Sequence, residues 1–101
     1  MTIRIGFDAT ATHKSVSVTA AEAVALYPGN NDKLPWPITI RAKPGAGGTL
    51  LVEYQVEPND DWTAWPDGTV AVATVAVMAG PMYALRFTAA AATGTIALNH
   101  D

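Results

Sequence analysis

The chain has no cysteine. Disulfides are thereby excluded, and so are thiolate metal sites and thiol nucleophiles. It has only six basic residues, against nine acidic ones. That balance leaves no clustered Lys/Arg footprint of the kind that binds nucleic acid. No apolar run approaches the ~20 residues a membrane-spanning helix needs. The start, Met1-Thr2-Ile3-Arg4-Ile5, lacks the positively charged head and long apolar stretch of a signal peptide. Large aliphatic and aromatic residues are scarce too. The apolar half of the composition is weighted to Ala and Val, with two Phe and three Trp. A single domain, 1–101, fits the length. A core of small side chains implies modest stability and a benefit from burying surface against a partner.

What the chain does contain is alternation. Leu50, Val52, Tyr54 and Val56 alternate, as do Ile3, Ile5 and Phe7, Val16 and Val18, and Tyr83, Leu85 and Phe87. Period-two patterning marks half-buried strands. Trp36, Ile38, Ile40 and Ala42 give another strand, and Thr95 to Asn99 the last. Thr19-Ala20-Ala21-Glu22 matches a helix capping box. The residues after it can form a short helix or a strand; Val24 and Leu26 alternate, which favours the strand. Pro28 to Pro35 and Pro44 to Gly48 are loops by their Pro, Gly, Asn and Asp content.

The valines between 70 and 77 change phase. Val70 and Val72 have one parity, Val75 and Val77 the other. A straight strand cannot turn both pairs to one core, so a bulge or a crossing between sheets is expected near Ala73-Thr74. Seven or eight short strands with regular turn signals predict an all-β fold, an antiparallel β-sandwich that is Ig-like or jelly-roll-like.

Candidate chemistry is thin. Asn59, Asp60, Asp61 and Asp67 form the acidic cluster and could ligate calcium through oxygen. Asx-type turns explain the same residues, and the closing Glu of an EF-hand loop is missing. His13 and His100 lack the convergent partners a zinc site requires. Ser15 and Ser17 are not in a Gly-x-Ser-x-Gly elbow. The glycine loop at 45–48 precedes a strand rather than a helix, so it is no phosphate cradle. No cofactor is expected. Trp36 shares a face with Ile38 and Ile40 and reads as core. Trp62 and Trp65 flank a turn, and one is expected at the sandwich edge with the other near the surface.

Three segments carry a resemblance. Gly48-Thr49-Leu50-Leu51-Val52-Glu53-Tyr54-Gln55-Val56 is followed by Asp61-Trp62-Thr63-Ala64-Trp65-Pro66-Asp67-Gly68, then by Gly80-Pro81-Met82-Tyr83-Ala84-Leu85-Arg86-Phe87-Thr88-Ala89. Together they resemble small β-sandwich virion proteins of tailed bacteriophages, similar to capsid decoration or cement proteins. The resemblance implies a non-enzymatic virion structural protein, made in the host cytoplasm. It would bind the major capsid protein or other virion proteins in many copies, or self-associate as a homo-oligomer. It implies no nucleic-acid, membrane or cofactor role. The expected partner-binding residues are Ile3, Ile5 and Phe7 on an edge strand, Leu34 and Trp36 beside the first loop, and Trp62 and Trp65. The alternative is a carbohydrate-binding or host-adhesion module in which Trp62 and Trp65 stack on sugar rings.

Overall fold

The computed structural model describes residues 2–7, 12–28, 34 and 36–100. Among these residues there are nine strands and no helix. They are β1 (Thr2–Phe7), β2 (His13–Val18), β3 (Ala23–Pro28), β4 (Ile38–Lys43), β5 (Thr49–Gln55), β6 (Thr63–Val70), β7 (Thr74–Met78), β8 (Ala84–Ala90) and β9 (Gly94–Asn99). One sheet has the order β1-β3-β8-β5-β6 and the other β2-β9-β4-β7. Every pairing is antiparallel except β1 with β3, which is parallel. The expected all-β sandwich is therefore the fold, with one or two more strands than the turn signals indicated.

The pairings are nested. β5 pairs with β6, β4 with β7, β3 with β8 and β2 with β9. One long antiparallel hairpin, folded over on itself, produces this order. Additional pairings of β5 with β8 and β4 with β9 close each sheet. Eight strands wound into two facing sheets in this way are a jelly roll. β1 is added at the β3 edge. Only the β5–β6 connection stays within one sheet; every other connection crosses from one to the other.

Alternation decides which side chains meet. In the first sheet Val24, Phe87 and Val52 form one inward row across β3, β8 and β5. Leu26, Leu85 and Tyr54 form the next. In the second sheet Val16, Ile96 and Ala42 are cross-strand neighbours, as are Leu98, Ile40 and Ala76. These two inner faces, with Trp65, Leu50 and Ile38, form one core. Burying each such aliphatic or aromatic side chain contributes roughly 1.5–3 kcal/mol.

The segment at Thr19 to Glu22 is a turn, not a helix start. The Glu22 N–H donates to the Thr19 carbonyl at 2.9 Å, and Ala21 has φ 65°. Ala89 binds this turn from both sides: its carbonyl accepts from the Ala21 N–H, and its N–H donates to the Glu22 carbonyl. The turn feeds directly into β3, so the strand alternative at Ala23–Tyr27 is the one adopted.

The phase change among the valines is a sheet crossing. β6 ends at Val70 in one sheet, and β7 begins at Thr74 in the other. Thr74, Ala76 and Met78 turn inward on β7. Val75 and Val77 consequently face out, each 64% exposed, and Val72 in the crossing is 73% exposed. The crossing lies where a break was expected, but side-chain parity is kept across it: Val70, Thr74, Ala76 and Met78 are all even-numbered and inward. The valines after it line the outside, because the crossing kept even-numbered residues inward.

Residues 62–68, expected as a corner, mostly belong to β6 instead. Between the Leu51–Thr69 and Glu53–Ala64 pairs, β5 has Val52 alone while β6 has Trp65, Pro66, Asp67 and Gly68. The surplus makes a wide bulge. Such an irregularity, together with a proline, is tolerated because β6 is an edge strand.

Candidate functional site

The bulge in β6 is closed by its own tryptophan. The Trp65 indole Nε1 donates to the Gly68 carbonyl at 2.8 Å, which fixes the ring inward. Gly68 has φ 59°, a left-handed conformation that costs glycine little. The ring sits at the open end of the sandwich, between β6 of one sheet and β7 of the other. There it lines a hollow of about 260 Å³ with Tyr54, Pro66, Ala76, Met78 and Met82. A second, shallower hollow of about 350 Å³ is lined by Trp36, Val56, Pro58, Pro81, Met82 and Tyr83.

Met82 belongs to both hollows, so they adjoin as one apolar groove. The Met82 carbonyl accepts from the Trp36 indole Nε1 at 3.2 Å, which holds that ring along the groove. Gly80 permits the close approach. It has φ 66°, and a Cβ there would lie 2.3 Å from the Trp36 ring. The polar members of the lining are Asp67 and Glu57, at the two ends. Methionine and aromatic walls adapt to apolar surfaces.

The outer face of the first sheet carries the charged contacts. Arg86 on β8 is the cross-strand neighbour of Glu53 on β5. Its Nε and Nη2 both donate to Glu53 Oε1, at 3.0 and 2.8 Å. Trp62 covers the guanidinium at 4.6 Å from its ring centroid. At the other side of the sheet Arg4 lies 4.0 Å over the Tyr27 ring, and Tyr27 meets Tyr83 edge to face at 5.7 Å. Cations already seated on aromatic faces are satisfied pairs.

The residues expected to bind a partner separate into two groups. Ile3 is exposed on edge strand β1, while Ile5, Trp36 and Trp62 are half-buried. Phe7, Leu34 and Trp65 are each 2% exposed. All three pack in the core, Phe7 and Trp65 from the inward parity of β1 and β6. Phe7 packs edge to face on His100 with ring centroids 5.5 Å apart. They can shape a binding surface from behind but present no area to a partner. Trp62 and Trp65 do divide into one ring at the sandwich edge and one near the surface, on opposite faces of the first sheet. The glycine loop is a tight turn closed by the Gly48 N–H on the Gly45 carbonyl. Most of the other loop, 29–33 and 35, lies outside the described residues.

The acidic turn is held by backbone groups. Gln55 Nε2 donates to the Asp60 carbonyl at 2.8 Å, the Asp60 N–H donates to the Glu57 carbonyl, and Asn59 has φ 65°. Among the described residues no three His, Cys, Asp or Glu side chains come together as a metal site. Sequence reasoning missed Met82, Val75 and Val77. An uncharged alternating strand has no residue that marks its wet side, so nothing in the valines themselves separated out from in. Comparison with protein families, curated proteins and solved structures finds no match to this chain.

Proposed function

We propose that this chain is a non-enzymatic structural protein of a tailed-phage particle, of the capsid decoration or cement type. It acts by burying surface against neighbouring virion proteins and so stabilises the assembled lattice. The resemblance of the segments around Tyr54, Trp62-Thr63-Ala64-Trp65 and Arg86-Phe87 motivates the reading. The observation that carries it is the apolar exposure. Val56 and Val77 are exposed and line the two hollows of the groove walled by Trp36, Met82 and Tyr83. Apolar surface gathered in one region is the usual mark of a protein-binding site. Jelly rolls build viral capsid and lectin domains, although an architecture by itself assigns no role.

The carbohydrate-binding alternative loses its pair of stacking rings, since Trp65 is buried and Trp62 already covers Arg86. The test is reconstitution. Capsids of the encoding phage that lack this protein are incubated with the purified chain and sedimented. Saturable co-sedimentation and a higher capsid melting temperature are expected, because a ligand of the assembled state stabilises that state by mass action. A chain that stays in the supernatant at every concentration, or that binds glycans instead, overturns the proposal.

A further inference from the structure

The two sheets have four edges, formed by β1, β6, β2 and β7. An uncovered edge presents unpaired N–H and C=O groups, and proteins guard such edges with charges, prolines or bulges. β1 carries Arg4, and β2 carries His13 and Lys14. β6 carries Pro66, Asp67 and the wide bulge. β7 has none of these. From Ala71 to Ala79 there is no charge, proline or glycine. Its register with β4 runs unbroken from Ile38–Met78 to Ala42–Thr74.

We propose that β7 is a self-association edge, on which a second copy of this chain pairs antiparallel about a two-fold axis at Ala76. The sequence around that residue reads Val-Ala-Val in both directions. A two-fold axis there sets Val75 of one copy opposite Val77 of the other, and the reverse, as an isologous interface requires. Residues directly opposite in an antiparallel pair share a face. All four valines would therefore form one outer patch, while Thr74, Ala76 and Met78 stay inward. The two four-stranded sheets would become one of eight strands, within the ordinary range.

Charge permits this occupant. Arg41 is the cross-strand neighbour of Val75, and Thr39 that of Val77. Across the joint the row runs Arg41, Val75, then Val77 and Thr39 of the second copy. The two copies' Arg41 side chains are three strand spacings apart and offset by two residues along the strands, roughly 16 Å. That exceeds the Debye length of about 8 Å at physiological salt. No like charges meet, and no buried charge is left unpaired. A five-residue strand with its valines buries less than the roughly 1,200–2,000 Å² of a standard interface. The dimer should therefore be weak in free solution. The proposal stands on the edge alone and does not depend on the virion reading.

The test is sedimentation velocity of the full chain over a wide concentration range. A monomer–dimer equilibrium is expected. Val77→Lys should weaken it by at least about tenfold, equivalent to about 1.4 kcal/mol, while Val72→Lys, outside the strand, leaves it unchanged. Val77 is an outward position, and unchanged circular dichroism will show that the variant folds. If it does not fold, register supplies a second measurement. The chain has no cysteine, so Ala76→Cys introduces a single thiol that lies opposite itself across the axis. Mild oxidation should yield a disulfide-linked dimer, and Val72→Cys should not. A chain that remains monomeric up to its solubility limit overturns the proposal. So does a dimer that neither Val77→Lys weakens nor Ala76→Cys cross-links. Capsid reconstitution with Val75→Lys, which breaks the same joint but lies outside the groove lining, separates the two readings, since a monomer that still binds capsids leaves the virion role standing without this edge.

Discussion

Trp65 shows how much one side chain does in a core of small residues. Its ring fills the open end of the sandwich, walls the groove, and holds a four-residue bulge closed through a 2.8 Å hydrogen bond to Gly68. Replacing a buried tryptophan by alanine typically costs about 3–5 kcal/mol. Total stabilities of small domains run only about 5–15 kcal/mol. Trp65→Ala is therefore expected to remove a large part of the stability in urea titrations, and Trp65→Phe much less. A Trp65→Ala loss below about 1 kcal/mol would contradict the packing described, since surface substitutions cost about that little. The sequence announced an important tryptophan pair but not which ring was buried. That depended on the bulge, which shifts parity between Trp62 and Val70 and leaves no trace in an alternation count.

At the level of elements, position within a sheet outweighs local propensity. β8 lies between β3 and β5, and β9 between β2 and β4. Both have ladder partners on two sides. β6 and β7 have one partner each, and β6 is further interrupted by its bulge. Hydrogen exchange in the native state should follow this ranking, because backbone groups in central strands open only with global unfolding. Amides of Leu85, Phe87, Ile96 and Leu98 are expected to exchange slowest, and those on the free side of β6 fastest. Uniform protection across β6 and β8 would contradict the assigned strand order. Strand existence was readable for β4, β5, β8 and β9, where large residues alternate. The extent of β6 was not, because Pro66, Asp67 and Gly68 are turn formers that only an edge position accommodates.

At the level of the whole molecule, the nested pairing joins distant parts of the chain. β2 and β9 are neighbours although nearly the whole described chain separates them. Such long-range pairing predicts folding on the slow side for a domain of this size. The surface it produces is uneven in character. Glu57, Asp60 and Asp61 gather at the β5–β6 turn, while Arg41 and Lys43 lie exposed on β4 in the opposite sheet. The acidic turn is organised by Gln55 and backbone hydrogen bonds. Adding calcium, or a chelator, should therefore leave the melting temperature unchanged. A rise of several degrees with calcium, reversed by chelation, would restore a metal role to Asn59, Asp60, Asp61 and Asp67.

The sequence alone determined that this is an all-β chain without thiols, because period-two alternation and the absence of cysteine are local facts. It also pointed to a break between Val72 and Val75, although that argument assumed that both valine pairs face the core, and they do not. Tertiary structure decided the rest. It selected a jelly roll over other sandwiches through pairings such as β2 with β9, which no local pattern encodes. It buried Phe7, Leu34 and Trp65, and left Val75 and Val77 in water. An apolar side chain states only that it can be buried. Which face of a strand meets the other sheet is fixed by where the chain crosses between sheets, and in this molecule the crossing at Ala71–Ala73 turned two valines outward.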